Sequence, residues 1–568
     1  MNSRSATNGR WKRRLFVKRK RPWFGQFKMK KLATLFLAVA FVSTAFAQTQ
    51  TVGVFTNEEN SFNGYTLYAP IPGFDTYLIN NCGEVVNQWT SGYRIGLSAY
   101  LLEDGSLLRT GQLPSYAEHP FSGGGTGGRV ERFNWEGELV WHIDWADSIK
   151  HHHHDIEYMP NGNILLISWE LHSYEEALEM GKNTTQTENP VWCCQIVEIE
   201  PTGSEGGDIV WSWSAWDHLV QDTDPNKPNY GVVSENPRKF NINYSNGNGP
   251  NQGAGNSDWM HCNSVDYNAD LDQIMISSAK FCEYWIIDHN LTTEEATTDA
   301  GDLLYRWGNP ESYQMGTEAD QTLFHQHDAH WSTDGIMVYN NGKNRPEGDY
   351  STVEMFELPE MVYGQYPLSA DGTFGPATYA WRYPQEFDAE FYSQNISGAT
   401  RLPNGNTLIC EGGSGHLFEV TSDEEVVWDY VSPITAFGAT TQGNDPGNTS
   451  VFKTYRYAPE YPAFEGRDMT PGDVIEVNSW DWGCTLSVLD LASIHQTLEI
   501  YPNPSLNTFK CNPGVGEIDV FNTLGKKECT ISTSFGDVEF GSDLNPGFYL
   551  VIFTGCNGEL FKSSILKQ

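Results

Sequence analysis

Three stretches of the chain place histidine just ahead of a hairpin strand. His151-His152-His153-His154-Asp155 precedes Met159-Pro160-Asn161-Gly162-Asn163. His261-Cys262-Asn263 precedes Val265-Asp266-Tyr267, and His325-Gln326-His327-Asp328 precedes Thr333-Asp334-Gly335. A neutral imidazole is a good nucleophile near pH 7 and leaves readily, so histidine suits covalent group transfer; a protonated ring donates to an anion. In a repeat protein the equivalent positions of successive repeats gather around one axis. The three clusters, far apart in sequence, are therefore expected at one place, with His153, His261 and His327 as candidate catalytic residues.

The elements that must position them are short strands. Between about Val52 and Leu489 the chain is rich in Gly, Trp, Tyr and Phe and poor in helical periodicity. A strand holding tryptophan recurs: Gly83-Glu84-Val85-Val86-Asn87-Gln88-Trp89, Gly137-Glu138-Leu139-Val140-Trp141, and Gly207-Asp208-Ile209-Val210-Trp211. It returns as Asp302-Leu303-Leu304-Tyr305-Arg306-Trp307, Ala377-Thr378-Tyr379-Ala380-Trp381 and Glu424-Glu425-Val426-Val427-Trp428. Tight-turn pairs recur beside it at Asp104-Gly105, Asn161-Gly162, Asp334-Gly335 and Asn404-Gly405. Repeated units of short strands joined by such turns predict an all-β fold, a six-bladed β-propeller over residues 51–490 followed by a small C-terminal β-sandwich over 497–568. Val220–Trp259 reads as an Asn/Gly-rich insertion; a seventh blade there is the other reading. Most tryptophans and phenylalanines are expected to pack between blades.

The chain ends speak of export. Residues 29–47 read as a signal peptide: Lys30-Lys31, an apolar run from Leu32 to Phe46, and Ala45-Phe46-Ala47 before Gln48. The run is too short for a stable membrane span. Residues 1–28 are Arg/Lys-rich and read as an extension ahead of the true start, Met29, or as a long basic leader. Twelve of the 35 Lys and Arg lie in Met1–Lys31, leaving 23 against 73 Asp and Glu, a net charge of −50. Such a surface argues against nucleic acid and anionic membranes as partners. Ten cysteines in an exported chain permit disulfides of unreadable pairing. Adjacent Cys193 and Cys194 are expected reduced or separately paired, with a vicinal disulfide as the alternative. The tail from Leu498 (Tyr501-Pro502-Asn503-Pro504, Asn522-Thr523-Leu524-Gly525-Lys526, Pro546-Gly547-Phe548-Tyr549 and Lys567) resembles the C-terminal sorting domain of the type IX secretion system. That resemblance implies a Bacteroidetes-type bacterium, the type IX machinery as partner, and a secreted or cell-surface location.

Four segments of the body resemble the arylsulfotransferase (aryl-sulfate sulfotransferase) family of exported six-bladed propellers. They are Asp258-Trp259-Met260-His261-Cys262-Asn263-Ser264-Val265, and Gln326-His327-Asp328-Ala329 with Asn341-Gly342 and Arg345. The others are Ser397-Gly398-Ala399-Thr400-Arg401-Leu402-Pro403-Asn404-Gly405-Asn406-Thr407-Leu408 and Val451-Phe452-Lys453-Thr454-Tyr455-Arg456-Tyr457. The resemblance implies transfer of a sulfuryl group from an aryl sulfate to a phenol through a sulfated histidine. It implies neither a nucleotide sulfate donor nor any cofactor or metal. Arg345 is then expected to fork its hydrogen bonds to the sulfuryl oxygens, with His261 and His327 as further donors. Asn263, Asn341, Trp259 and Arg456 are expected against the substrates, and Lys453 is a second candidate anion contact. The resemblance puts the sulfated histidine in the repeat after Arg345. Glu390–Ser397 holds none there, so His416, His327 and His261 are the candidates. The alternative function is a non-catalytic surface propeller that binds sulfated aromatics or glycans.

Overall fold

The computed structural model describes residues 50–568 apart from 115–119, 184–188, 245–256, 480–483, 485–497, 523–526, 535–536 and 556–559. The leader segments expected at 1–28 and 29–47, the start of the tail domain at 497, His119, His495 and Cys556 lie outside the described residues. Among the described residues no helix is long and apolar enough to cross a membrane.

The chain is all-β. Among the described residues, its body is built on six larger antiparallel sheets, I to VI in ring order, each written from its innermost strand outward. Sheet I holds Val451–Tyr457, Tyr65–Pro70, Asp75–Ile79 and Val85–Thr90. Sheet II holds Ile95–Leu101, Leu107–Gln112, Gly128–Phe133 and Leu139–Asp144. Sheet III holds Lys150–Tyr158, Ile164–His172, Val191–Pro201 and Gly207–Ser214. Sheet IV holds Cys262–Asn268, Gln273–Ser278, Glu283–Asp288 and Tyr305–Trp307. Sheet V holds His327–Ser332, Gly335–Asn340, Thr352–Phe356 and Trp381–Tyr383. Sheet VI holds Gly398–Arg401, Thr407–Glu411, His416–Val420 and Val426–Val431, with Gly53–Asn57 added at its outer edge.

All six tryptophans of the repeated strand lie on the fourth strand of a sheet. Five use the indole N–H to reach a carbonyl of the following sheet or the loop beside it: Trp89 to Asn134, Trp141 to Gly206, Trp211 to Leu291, Trp307 to Pro376, and Trp428 to Asn81. Trp381 lies under the Arg401 guanidinium of sheet VI, 4.5 Å away. The last contact of the series returns to sheet I, so the sheets close on themselves. A separate apolar core fills each junction. Leu67, Trp89 and Leu107 pack between I and II; Leu108, Trp141, Ile164 and Leu166 pack between II and III. Ile167, Trp213 and Ile276 lie between III and IV, Ile286, Trp307 and Ile336 between IV and V. Met337, Ile409 and Phe418 lie between V and VI, and Leu408, Trp428 and Tyr68 between VI and I.

Both ends of the body complete this closure. The late strand Val451–Tyr457 is the innermost strand of sheet I, and the early strand Gly53–Asn57 is the outermost of sheet VI. Cys82 and Cys484, 402 residues apart, are joined by a disulfide. Cys193 and Cys194 are buried and outside any disulfide, as are Cys262, Cys282 and Cys410. Because the Cys82–Cys484 link closes a very long loop in the unfolded chain, replacing Cys82 by serine is expected to lower the unfolding free energy by about 2–5 kcal/mol, read as a shift of the denaturant midpoint.

Beyond Leu498 a four-stranded sheet (Lys527–Thr533, Gly516–Asn522, Gly547–Gly555, Leu560–Lys567) and a two-stranded sheet (Phe509–Cys511, Val538–Phe540) share one apolar core that includes Phe509, Val520, Phe540 and Val551. Leu219–Val220 and Phe240–Asn241 form a short parallel pair, with Leu219 and Phe240 in the core between sheets III and IV.

Candidate active site

The histidines are aimed inward by a backbone device that recurs around the ring. In sheets II to V the innermost strand slips register against its neighbour, between Ile95 and Ala99, opposite Leu166/Ser168, between Cys262 and Ser264, and between His327 and His330. At or next to each slip one residue takes a left-handed backbone: Leu97 (φ 119°), His154 (φ 57°), His261 (φ 50°) and Asp328 (φ 56°); Ile396 and Ser397 do so just ahead of sheet VI. A bulge with a left-handed residue re-aims a side chain off the regular pleat, at a cost that surrounding structure must hold. Two of these positions, His154 and His261, carry rings, and those rings meet.

The three predicted clusters meet. The rings of His154 and His261 contact edge to face, 4.7 Å between centres, and Phe452 of sheet I touches both His154 and His327. His153 and His154 face each other through their Nδ1 atoms at 2.8 Å, and His153 lies flat on Trp169 at 4.1 Å. Burial keeps His153, His154 and His327 neutral. It pushes His152 and His327 down to about 3 and His325 to about 4, and His153 and His154 well below the usual imidazole value, with neighbouring histidines adding to the effect. Among the described residues no group of three or more His, Cys, Asp or Glu is arranged to hold a metal ion.

The rings differ in what their nitrogens do. Asn341 donates through Nδ2 to the carbonyls of Ser393 and Ile396, which turns its Oδ1 toward His327 Nδ1 at 2.8 Å. His327 Nδ1 also faces the His325 carbonyl, while its Nε2 accepts the Ile396 N–H at 3.2 Å. Both nitrogens of His327 are engaged, with the proton on Nδ1. His261 Nδ1 donates to Asp258 Oδ2 at 2.5 Å. Burial alone would raise the Asp258 carboxyl, but the His261 ring and the hydrogen bond between them outweigh it and hold the group far below the usual carboxylate range. Trp169 Nε1 donates to the other oxygen at 3.1 Å, and Lys280 Nζ stands 3.9 Å from Oδ2. The His261 side chain is 21% exposed, whereas residues 151–154 are buried.

A glycine-rich run that sequence reasoning passed over, Gly123-Gly124-Gly125-Thr126-Gly127-Gly128, lies against these rings. A Cβ on Gly125 would stand 2.0–2.2 Å from the His154 ring, one on Gly127 2.7 Å from His152 Nδ1, and one on Gly124 3.7 Å from His261 Cε1. The Gly125 carbonyl accepts the His154 N–H at 2.8 Å, and Gly128 N–H reaches His152 Nδ1 at 3.3 Å. Only glycine lets the backbone come this close, and Gly125 also has φ +84°. Gly125→Ala is expected to lower stability by about 2–4 kcal/mol, checked by thermal unfolding, through overpacking and the left-handed backbone.

Below the histidines a polar plug ties all six inner strands. Lys453 Nζ of sheet I sits 2.8 Å from Asp155 Oδ2 of sheet III and 3.3 Å from Asp328 Oδ1 of sheet V. Tyr100 of sheet II donates to Asp155 Oδ1 at 2.6 Å; Val265 N–H of sheet IV reaches Asp155, and Ala399 N–H of sheet VI reaches Asp328, each at 3.3 Å. Burial disfavours the Lys453 charge, but Asp155 outweighs it and holds the ammonium protonated. Lys453, expected as an anion contact, is therefore the centre of this plug. Further down, burial and Asp266 push the Glu157 carboxyl well up.

Four further predicted site residues have these partners. Arg345 donates to the Tyr350 carbonyl at 3.2 Å and Thr352 Oγ1 at 2.8 Å, lies over the Tyr350 ring, and stands 3.8 Å from Glu354. Arg456 bonds Thr66, the Phe62 carbonyl and Glu419 (2.5 Å), lying over Trp428. Both belong to a recurring set in which a buried carboxylate on a third strand meets a cation, as Glu131 meets Arg129 and Glu283 meets Arg306. Trp259 donates to the Tyr244 carbonyl and packs edge-on against Phe281. His416 lies between Asp429 (2.8 Å) and Glu411 (3.4 Å); burial opposes its charge, but hydrogen bonds to the two carboxylates raise it to about 9. Asn263 donates to the Gln326 carbonyl at 2.7 Å, linking sheets IV and V beside the histidines.

The family model described as Arylsulfotransferase (ASST) matches residues 103–453, and the chain belongs to that family of transferases. "Arylsulfate sulfotransferase AssT" of Escherichia coli O6:H1 is 28% identical over 180 residues, covering 28% of this chain and 29% of that protein. The chain thus spans under a third of the length of that curated relative. Among solved structures, a protein of unknown function from Bacteroides caccae matches with TM-score 0.37 at 11% identity, covering 70% of this chain and 100% of the other. The Cps50 (Swd1) β-propeller domain from Myceliophteria thermophila matches with TM-score 0.31 at 10% identity, covering 67% and 90%. Likenesses this low carry no weight for site or function.

Proposed function

We propose that the protein is an exported aryl-sulfate sulfotransferase, built as a six-bladed β-propeller over residues 51–490. In this reading it moves a sulfuryl group from an aryl sulfate to a phenol through a sulfated histidine, without a nucleotide sulfate donor. The observation that carries the reading is the meeting of His153/His154, His261 and His327, from three sheets, within a family-matched segment. The donor's aryloxide is a good leaving group, so a neutral imidazole suffices as nucleophile. The buried setting keeps His153, His154 and His327 neutral, and the plug formed by Asp155, Asp328 and Lys453 gives the site a floor. Negative charge on the sulfuryl oxygens would meet the backbone amides of Gly124 and Gly125 in the glycine run, since oriented donors in a dry site stabilise developing charge.

In the same proposal, residues 29–47 direct export and residues 497–568 form a β-sandwich read by the type IX secretion machinery, giving a secreted or surface location. The test of function is an assay with 4-nitrophenyl sulfate. Nitrophenol release that rises with added phenol supports transfer. No release from folded protein with several phenols would leave a propeller that binds sulfated aromatics or glycans.

A further inference from the structure

Resting on that reading, we infer that His261 carries the sulfuryl group and that Asp258 is its positioning residue. A histidine can attack sulfur only through a nitrogen whose lone pair is free and turned toward the substrate. His327 fails this condition, because Nδ1 bonds Asn341 and Nε2 receives the Ile396 N–H. His416 fails it, because both nitrogens face carboxylates. His153 and His154 turn their Nδ1 atoms on each other and are buried beneath the glycine run. His261 meets it. Its Nδ1–H is fixed on Asp258, its Nε2 has no hydrogen-bond partner among the described residues, and its side chain is part-exposed. A partner on one ring nitrogen fixes the tautomer and presents the other.

Asp258 is itself locked, with Trp169 donating to Oδ1 and Lys280 Nζ near Oδ2. The chemistry balances without moving the ring proton. Nε2 attacks the sulfur of an aryl sulfate, the Nε2–S bond forms, the S–O(aryl) bond breaks, and the aryloxide leaves with the electron pair. The ring is then cationic, N-sulfated at Nε2 and protonated at Nδ1, and the Asp258 carboxylate compensates that charge. The acceptor phenol gives its proton to the released aryloxide; its oxygen then attacks sulfur, the S–Nε2 bond breaks, and neutral His261 returns.

The experiment uses the full chain with sulfur-labelled 4-nitrophenyl sulfate and no phenol, denatured rapidly at mildly alkaline pH and mapped by mass spectrometry. The expected result is one sulfuryl group on the peptide holding His261. Asp258→Asn is expected to lower kcat by roughly 10²–10⁴-fold with little change in KM, and Asp258→Glu to recover part of it. Label on His327, His153 or His416 overturns the assignment while leaving transfer intact. An Asp258→Asn effect confined to KM overturns the positioning role. No label and no nitrophenol from folded protein overturns the transfer reading and the assignment with it.

Discussion

His261→Ala is expected to lower kcat/KM for phenol-dependent nitrophenol release by at least about 10⁴-fold, the scale of losing a covalent nucleophile. The fold should survive, because among the described residues the ring's hydrogen-bond partner is Asp258, and that carboxylate keeps Trp169 and Lys280. Thermal unfolding of the variant should therefore stay close to that of the parent. Added imidazole should restore part of the activity by occupying the vacated space. His416→Asn, at a position held between Asp429 and Glu411, should leave activity within a few-fold. If His261→Ala keeps more than a tenth of the activity, another group attacks sulfur.

The second large effect is on stability in mild acid. His152 and His327 are pushed down to about 3 and His325 to about 4, so the folded protein leaves them neutral at pH 5. In the unfolded chain the same rings take up protons below their ordinary value of 6.5. The unfolded state then binds more protons, so stability is full above pH 6.5 and falls as pH drops from 6.5 toward 3–4. Each ring contributes a loss of about 2 kcal/mol by pH 5, about 6 kcal/mol for the three, against a typical total of 5–15 kcal/mol. His416 works in the opposite direction. Its pKa, raised to about 9, gives stability that is full below 6.5 and lost as pH rises through 9, so acidification from pH 7 returns about 1 kcal/mol at most. Denaturant unfolding at pH 7, 6 and 5 should show a steep fall in midpoint. A midpoint unchanged over that range would mean the rings are hydrated and can charge in place.

The scaffold was legible where it is periodic. The six tryptophan strands each occupy the fourth strand of a sheet, because a period-2 strand with one large aromatic has few other ways to bury it. The three histidine clusters were legible for the same reason: repeat position fixes which end of an inner strand they occupy. The partners of Arg345 and Arg456 were not legible, because which carboxylate a guanidinium meets, Glu354 on the next strand or Glu419 on a neighbouring sheet, is set by strand register and sheet packing. The two cysteines of the Cys82–Cys484 bridge come from opposite ends of the body, and spacing holds no trace of that closure. Asp258 and the Gly123–Gly128 run carried local signals, an acid three residues before a histidine and a cluster of glycines around Thr126. Their meaning appears only once the rings they touch are brought in from other sheets.

Sulfuryl transfer to a phenol is read most directly from product stoichiometry with 4-nitrophenyl sulfate and phenol. Phenyl sulfate and 4-nitrophenol formed one for one, with no inorganic sulfate, is the predicted result. Nitrophenol accompanied by inorganic sulfate alone, or neither product from folded protein, would contradict it.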